Sequence, residues 1–255
     1  MKINTKAPDV LSASIAAPSD FGIDGENMPL ILDILRSKLY SDPIGSICRE
    51  IASNGRDSHR EAGVPDLPIE IEFADGRNSL FATDGLNVIF RDFGVGLSPE
   101  RVAKVYTKYG ASTKRDTNEQ TGGFGLGAKT PFAYVDAFSI RTIVDEVEYF
   151  YSVFIDPSRI GQVSLLMQKP VDGQRNCTEI IIPMKDGDDS AFATAILTAT
   201  SYWEVRPTLI GIGRWSEPMV TTKGDGWQIE SGVGHAAPSI ACIDGIQYPL
   251  SRQHV

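Results

Sequence analysis

Apolar positions recur with a helical repeat through the first quarter of the chain. Met28–Tyr40 carries Leu30, Ile31, Ile34, Leu35 and Leu39, and Ile44, Ile47, Cys48 and Ile51 continue the pattern at i, i+3, i+4 and i+7. Asp42-Pro43 supplies an N-cap and a proline at the first helical position, and Gly63 with Pro65 stops this second helix near Ala62. The period then changes to two. Ile69, Ile71 and Phe73 alternate with Glu70 and Glu72, which predicts a half-buried strand, and Asp75-Gly76 turns the chain toward strands at Leu80–Thr83 and Val88–Asp92. Ser98-Pro99 opens a helix to about Tyr106, a polar stretch follows over Lys108–Gln120, and glycine-rich Gly122–Gly127 leads into an apolar helix, Ala128–Tyr134. Ala137–Val144, Val147–Ile155, Val163–Met167 and Thr178–Pro183 are rich in β-branched and aromatic residues and predict strands. A helix over Ser190–Trp203 and a Gly/Pro-rich stretch ending in Ile240–Leu250 close the chain. Helices first, then strands with helices between them, predict an α/β fold of the α+β two-layer kind, a mixed sheet with helices on one face.

Composition narrows the function classes. Among 255 residues, 24 basic and 33 acidic side chains leave a formal charge of −9, which argues against a broad phosphate-neutralising surface. A hydrophobic share of 42% excludes whole-chain disorder. No apolar run reaches the roughly 18–20 residues of a membrane span, and the first residues lack the apolar core of a secretory signal. Cys48, Cys177 and Cys242 are odd in number and far apart, as expected of free thiols in a reducing cytoplasm.

Four polar features interrupt these patterns. Glu50, Asn54 and Asp57 fall within one stripe of the helix beside its apolar face, where a carboxylate and an amide can point at one place. An Asn carbonyl there can ligand Mg²⁺ without adding charge. Asp92 ends a strand and is followed by Gly94 and Gly96, so a carboxylate can meet an exocyclic amine while the backbone closes on a flat ring. Gly122, Gly123, Gly125 and Gly127, with Phe124 and Leu126 between them, expose backbone N–H groups suited to phosphate oxygens just before Lys129. A Walker-type loop does not fit, because Ala128 intrudes before Lys129-Thr130 and the preceding Arg115–Thr121 is polar, not a buried strand. Asn176-x-Thr178 opens the last of the predicted strands. Each feature alone also has an ordinary reading: a solvated helix face, a strand-ending turn, a flexible loop, a strand residue.

In this order, Glu50-x-x-x-Asn54-x-x-Asp57, Asp92-x-Gly94-x-Gly96, Gly122-Gly-x-Gly-x-Gly127 and Asn176-x-Thr178 resemble the four nucleotide boxes of the GHKL superfamily (gyrase B, heat-shock ninety chaperones, histidine kinases, MutL). Ser112-Thr113-Lys114 resembles the lid segment of MutL-like members. CREIASNGRDSHREAG, FRDFGVGLS, YGASTKRDTNEQTGGFGLGAKTPFAYVDAFSI and ACIDGIQYPL are similar to the N-terminal region of the rIIA family of tailed bacteriophages, over about Met28 to Leu250.

The resemblance implies a Bergerat-type fold that binds ATP with Mg²⁺. It implies Glu50 as general base, Asn54 as Mg²⁺ ligand, and Asp92 as acceptor of the adenine amine, with Thr178 supporting it through water. Gly123–Gly127 would wrap the phosphates, Lys129, Ser112 and Lys114 would add donors and charge, and Asp57, Gly94, Gly96 and Gly122 complete the boxes. Residues 1–26 would be an N-terminal arm, 27–205 the ATP-binding domain, and 206–255 a connector with the start of a truncated transducer-like domain. A lysine from such a domain reaches the γ-phosphate in gyrase-like members. The implied activity is slow ATP hydrolysis, with closure of an ATP lid at Lys108–Thr121 gating homodimerisation or capture of a host or phage protein in the cytoplasm of an infected bacterium. Two alternatives keep the same motifs: a nucleotide-responsive interaction module without significant hydrolysis, and a histidine-kinase-type phosphotransfer domain. For the second, His59, His235 and His254 are the only histidines, none in a convincing dimerisation helix.

Overall fold

In the computed structural model, Asp42 starts the first described helix as its sequence position predicts: Oδ1 accepts from Gly45 N at 2.9 Å and Pro43 takes the first helical position. The described residues are 41–76, 85–107, 127–157, 159–215, 219–224, 227–231, 240–243 and 246–249. The expected arm 1–26, helix Met28–Tyr40, strand Leu80–Thr83, polar segment Lys108–Thr121 (with Ser112 and Lys114) and glycine segment Gly122–Leu126 lie outside them.

The helices are α1 (Pro43–Glu61), α2 (Pro99–Thr107) and α3 (Asp189–Thr200). The strands are β1 (Glu70–Asp75), β2 (Leu86–Asp92), β3 (Ala137–Val144), β4 (Val147–Ile155), β5 (Gly161–Pro170), β6 (Cys177–Pro183) and β7 (Thr208–Ile210), followed by the hairpin strands β8 (Met219–Gly224), β9 (Trp227–Ser231), β10 (Ile240–Ile243) and β11 (Ile246–Pro249). The seven-stranded sheet has the order β5-β4-β3-β6-β2-β1-β7. Its neighbours are antiparallel except for β1 and β7, which run parallel, so the sheet is mixed as expected.

Two local expectations change. Residues 127–133 form a 3-10 helix instead of an α-helix, with Pro131 inside it. Pro131 has no N–H to return to Gly127, and the Thr130 hydroxyl donates to the Gly127 carbonyl at 2.8 Å instead. Strand β7 was not anticipated, because three residues in a Gly/Pro-rich stretch carry no periodicity. It is held by pairing with β1, including Thr208 N to Ile69 O at 2.8 Å.

The two sheet faces divide the chemistry. Val88, Phe90, Ile140, Ile180 and Ile182 point toward the helices and join Ile47, Ile51, Phe192 and Ile196 in one core. The opposite face carries a ladder of charges across six strands, with both Glu70 and Glu72 from β1. Lys169 of β5 pairs with Glu148 of β4 at 2.8 Å, and Glu148 with Arg141 of β3. Glu179 of β6 accepts from Arg141 at 2.8 Å and from Arg91 of β2 at 2.7 Å, and Arg91 reaches Glu70 of β1 at 2.6 Å. Glu179 is the least replaceable member: it is buried, and one oxygen serves two half-buried guanidinium groups. Removing it costs each guanidinium one carboxylate, while Arg91 keeps Glu70 and Glu72 and Arg141 keeps Glu148. The loss therefore lies between that of an exposed pair, under about 1 kcal/mol, and that of a buried charge left wholly unpaired, about 3–5 kcal/mol. We expect Glu179→Ala to lower the urea midpoint by several times the shift of Lys169→Ala, whose side chain is 54% exposed. Equal shifts would show that the ladder is a surface ornament.

Candidate functional site

Helix α1 packs against β2 and the 3-10 helix and so meets two of the sequence-selected features at once. At its middle, Glu50 and Asn54 lie beside Gly127: a Cβ built there would stand 2.5 Å from Glu50 Oε2 and 3.7 Å from Asn54 Nδ2. A side chain at 127 would have to displace the end of the Glu50 side chain from this contact. One turn further, Gly55 packs on Asp92, with a built Cβ 3.3 Å from Asp92 Cβ. Asp57, the third residue of the stripe, is buried and pairs with Arg60 at 3.3 Å. The geometry therefore brings Glu50, Asn54 and Gly127 together, and sets Asp57 in a pair along the helix.

Asp92 and Thr178 are direct partners in the β2–β6 register, and Thr178 in turn lies opposite Thr142 of β3. All three are buried on the helix side of the sheet. Asp92 Oδ1 accepts from Gly94 N at 3.0 Å, and the Ser58 and Thr178 hydroxyls also bond its carboxylate. Burial nevertheless outweighs these donors and raises its pKa to about 6.

The loop after Asp92 is held mainly by side chains from other elements. Phe93 N donates to His59 Nε2 at 2.7 Å, Val95 N to Ser58 Oγ at 3.3 Å and Leu97 N to Thr142 Oγ1 at 2.9 Å. Asn176 Nδ2 donates to Val95 O at 3.3 Å. Gly94 sits so close to α1 that a side chain there would strike Ser58, and Gly96 has φ +73°. His59 Nδ1 lies 2.7 Å from Leu67 O. A carbonyl can only accept and an amide N–H can only donate, so these two contacts assign the proton to Nδ1 and keep the ring neutral. Burial lowers its pKa in the same direction. His59, Ser58 and Arg175, which stacks 3.6 Å over Phe93, were not selected from sequence as parts of the site. Nothing in a one-dimensional pattern links a helix histidine to an amide 34 positions on.

Lys129 is buried in the 3-10 helix and donates to Val105 O at 2.7 Å, near the C-terminal end of α2. Burial lowers its pKa to about 8, and the helix-end carbonyl favours its charge. Among the described residues no group of three or more His, Cys, Asp or Glu could hold a metal by itself.

No family model matches the chain, and no curated protein matches it. Among solved structures it is similar to the ATPase region of Saccharomyces cerevisiae topoisomerase II, with 11% identity and a TM-score of 0.47. The overlap covers 64% of this chain and 46% of that one. No described helix is long and apolar enough to cross a membrane.

The raised pKa of Asp92 gives a signed prediction. The folded state holds this proton more tightly than the unfolded chain, so the group's contribution to stability falls as pH rises from about 4 to about 6. Displacement from 3.8 to about 6 corresponds to about 3 kcal/mol at neutral pH. Asn can keep the Gly94 bond and donate to a hydroxyl, so Asp92→Asn should melt higher than the parent at pH 7.5. That advantage should vanish near pH 4. A pH-independent difference would mean that the Asp92 carboxylate is not penalised by burial.

Proposed function

We propose that this chain is a Mg²⁺-dependent ATP-binding domain of GHKL type, related to the rIIA-like phage proteins its segments resemble, with slow hydrolysis at Glu50. One observation carries the reading: α1 by itself joins Glu50 and Asn54 to Gly127 at its middle and Ser58 to the Asp92–Gly96 loop about a turn further along. These are the places where the resemblance puts phosphate and adenine.

The residues fit the ligands. Asp92 offers a buried carboxylate that discriminates donors from acceptors, since an adenine amine donates where a guanine carbonyl cannot. The bare backbone of Gly127 beside Glu50 and Asn54 leaves a cradle that a side chain would fill. Asn54 would hold Mg²⁺ together with phosphate oxygens, and the ion would neutralise charge developing on them. Glu50 would accept the proton of the attacking water. Lys129 would lend charge, and Gly122–Leu126 with Ser112 and Lys114 would complete the phosphate wrap. Closure of Lys108–Thr121 over the nucleotide would gate a homodimer or a partner protein, with residues 1–26 the exchanged element.

Asp92→Asn should weaken ATP more than GTP, read by calorimetry. Equal losses would remove the adenine assignment. Glu50→Ala should retain ATP binding and lose about 100- to 10,000-fold in hydrolysis rate, whereas Asn54→Ala should lose the Mg²⁺-dependent part of the affinity. ATP binding by the parent without any turnover would make the domain a nucleotide-responsive interaction module. Hydrogen exchange over Lys108–Thr121 should slow with a non-hydrolysable analogue, and light scattering should then show the dimer. Exchange unchanged at saturation would reject lid closure.

A further inference from the structure

Between Phe93 and Leu97 four backbone amides are held by side-chain acceptors, and the four are not alike. Gly94 N donates to Asp92 Oδ1, Val95 N to Ser58 Oγ and Leu97 N to Thr142 Oγ1. A hydroxyl accepts at any pH, and a carboxyl group that gains a proton keeps a carbonyl oxygen that still accepts. Phe93 N donates to His59 Nε2, which has a single lone pair. Near neutral pH only this last acceptor can be turned into a donor.

The ring has nowhere to turn. His59 is 1% exposed, its Nδ1–H donates to Leu67 O at 2.7 Å, and its plane lies 26° from that of Phe93. A proton on Nε2 would set two donors against each other at 2.7 Å, and they must separate. The helix holds the ring, so the chain at Phe93 has to move, and with it Gly94, which sits against Ser58. Burial holds the pKa of His59 below the ordinary histidine value, the Leu67 carbonyl acts the other way, and Arg175, stacked on Phe93, adds a positive charge that opposes protonation. The other charged groups nearby are engaged or solvated. On α1 Asp57 pairs with Arg60, Asp66 beside Leu67 is exposed, and Gly94, Ser58 and Thr178 all bond the Asp92 carboxylate.

We propose that His59 is a positioning residue for this loop: as a neutral acceptor it fixes Phe93–Leu97 against α1, and a second ring proton releases it. The contact is intact at neutral pH and is lost as pH falls through the lowered pKa. Its consequence for a ligand rests on the nucleotide reading, in which Asp92 and the glycines after it receive adenine. Release then lowers ATP affinity, because fewer molecules hold the competent loop.

The test has two parts. Isotope-labelled full chain without nucleotide is titrated by NMR from about pH 8 to about pH 5. The Phe93 amide should move with the midpoint of the His59 ring nitrogens in the parent and in Asp92→Asn. It should not do so in His59→Gln, whose Oε1 reaches the place of Nε2 and accepts at every pH. A parent Phe93 amide that ignores the His59 midpoint overturns the proposal. Calorimetry with ATP and Mg²⁺ then compares variants near neutral pH. His59→Asn, whose amide keeps the Leu67 bond and falls short of Phe93, should bind about 5- to 50-fold more weakly than His59→Gln. Between neutral pH and about pH 5.5 the parent should lose more affinity than His59→Gln, a comparison that cancels the titration of Asp92 and of the nucleotide's phosphate. Equal affinities of the two variants, or equal losses with pH, overturn the link to the ligand. Absence of ATP binding by the parent refutes the nucleotide reading, and the role of His59 in the loop is then decided by the Phe93 amide.

Discussion

Register between β2, β6 and β3 is the constraint on which both faces of this protein rest. Arg91, Glu179 and Arg141 are opposed across these three strands, and so are Asp92, Thr178 and Thr142, one residue along and on the other face. A slip of one residue would turn every side chain of the moved strand over. Glu179 would then be driven into the apolar core while Thr178 left Asp92 for the solvent side. The cost of burying an unpaired carboxylate there far exceeds that of any single lost contact, so the ion-pair ladder specifies the register that sets the Asp92 row.

The loop that follows Asp92 shows the opposite economy. It has little sheet or helix pairing of its own over Phe93–Leu97, and its backbone donors go to His59, Asp92, Ser58 and Thr142. Buried backbone groups must be satisfied somewhere. Here side chains from α1 and β3 satisfy them, with Asn176 before β6 taking the Val95 carbonyl, so the loop's shape is set by the elements around it. The close approach at Gly94 follows from the same arrangement, because α1 must come near enough for the Ser58 hydroxyl to reach both Asp92 and Val95.

Asp92 illustrates how a fold can carry a local cost. Three donors surround the carboxylate, yet burial still raises its pKa. A polar group kept in such a setting is a strained element in an otherwise consistent core, where every other helix-facing position of β2 and β6 is apolar or hydrogen-bonded. In the proposed reading, an exocyclic amine donating to it would favour its charged form, so binding and ionisation would support one another.

The sequence by itself determined the elements whose signal is local. The Asp42-Pro43 cap and the apolar stripe Ile47, Cys48, Ile51 predict α1, the alternation at Ile69–Phe73 predicts β1, and the β-branched runs predict β3 and β4 with their observed bounds. It also singled out Glu50, Asn54 and Asp92, because carboxylates and amides at helix and strand positions next to glycines are legible as spacing, whereas Thr178 entered only through the order of the four boxes. Tertiary structure alone decided the rest. Strand β7 exists through pairing with a strand more than a hundred residues earlier, and residues 127–133 became a 3-10 helix because Pro131 withholds the amide that an α-turn needs. The partners in the charge ladder are 7 to 88 positions apart, and His59 finds Phe93 across 34. Charge and hydrogen bonding act through space at about 3 Å, and periodicity along the chain records only which face a residue occupies, not which residue waits opposite it.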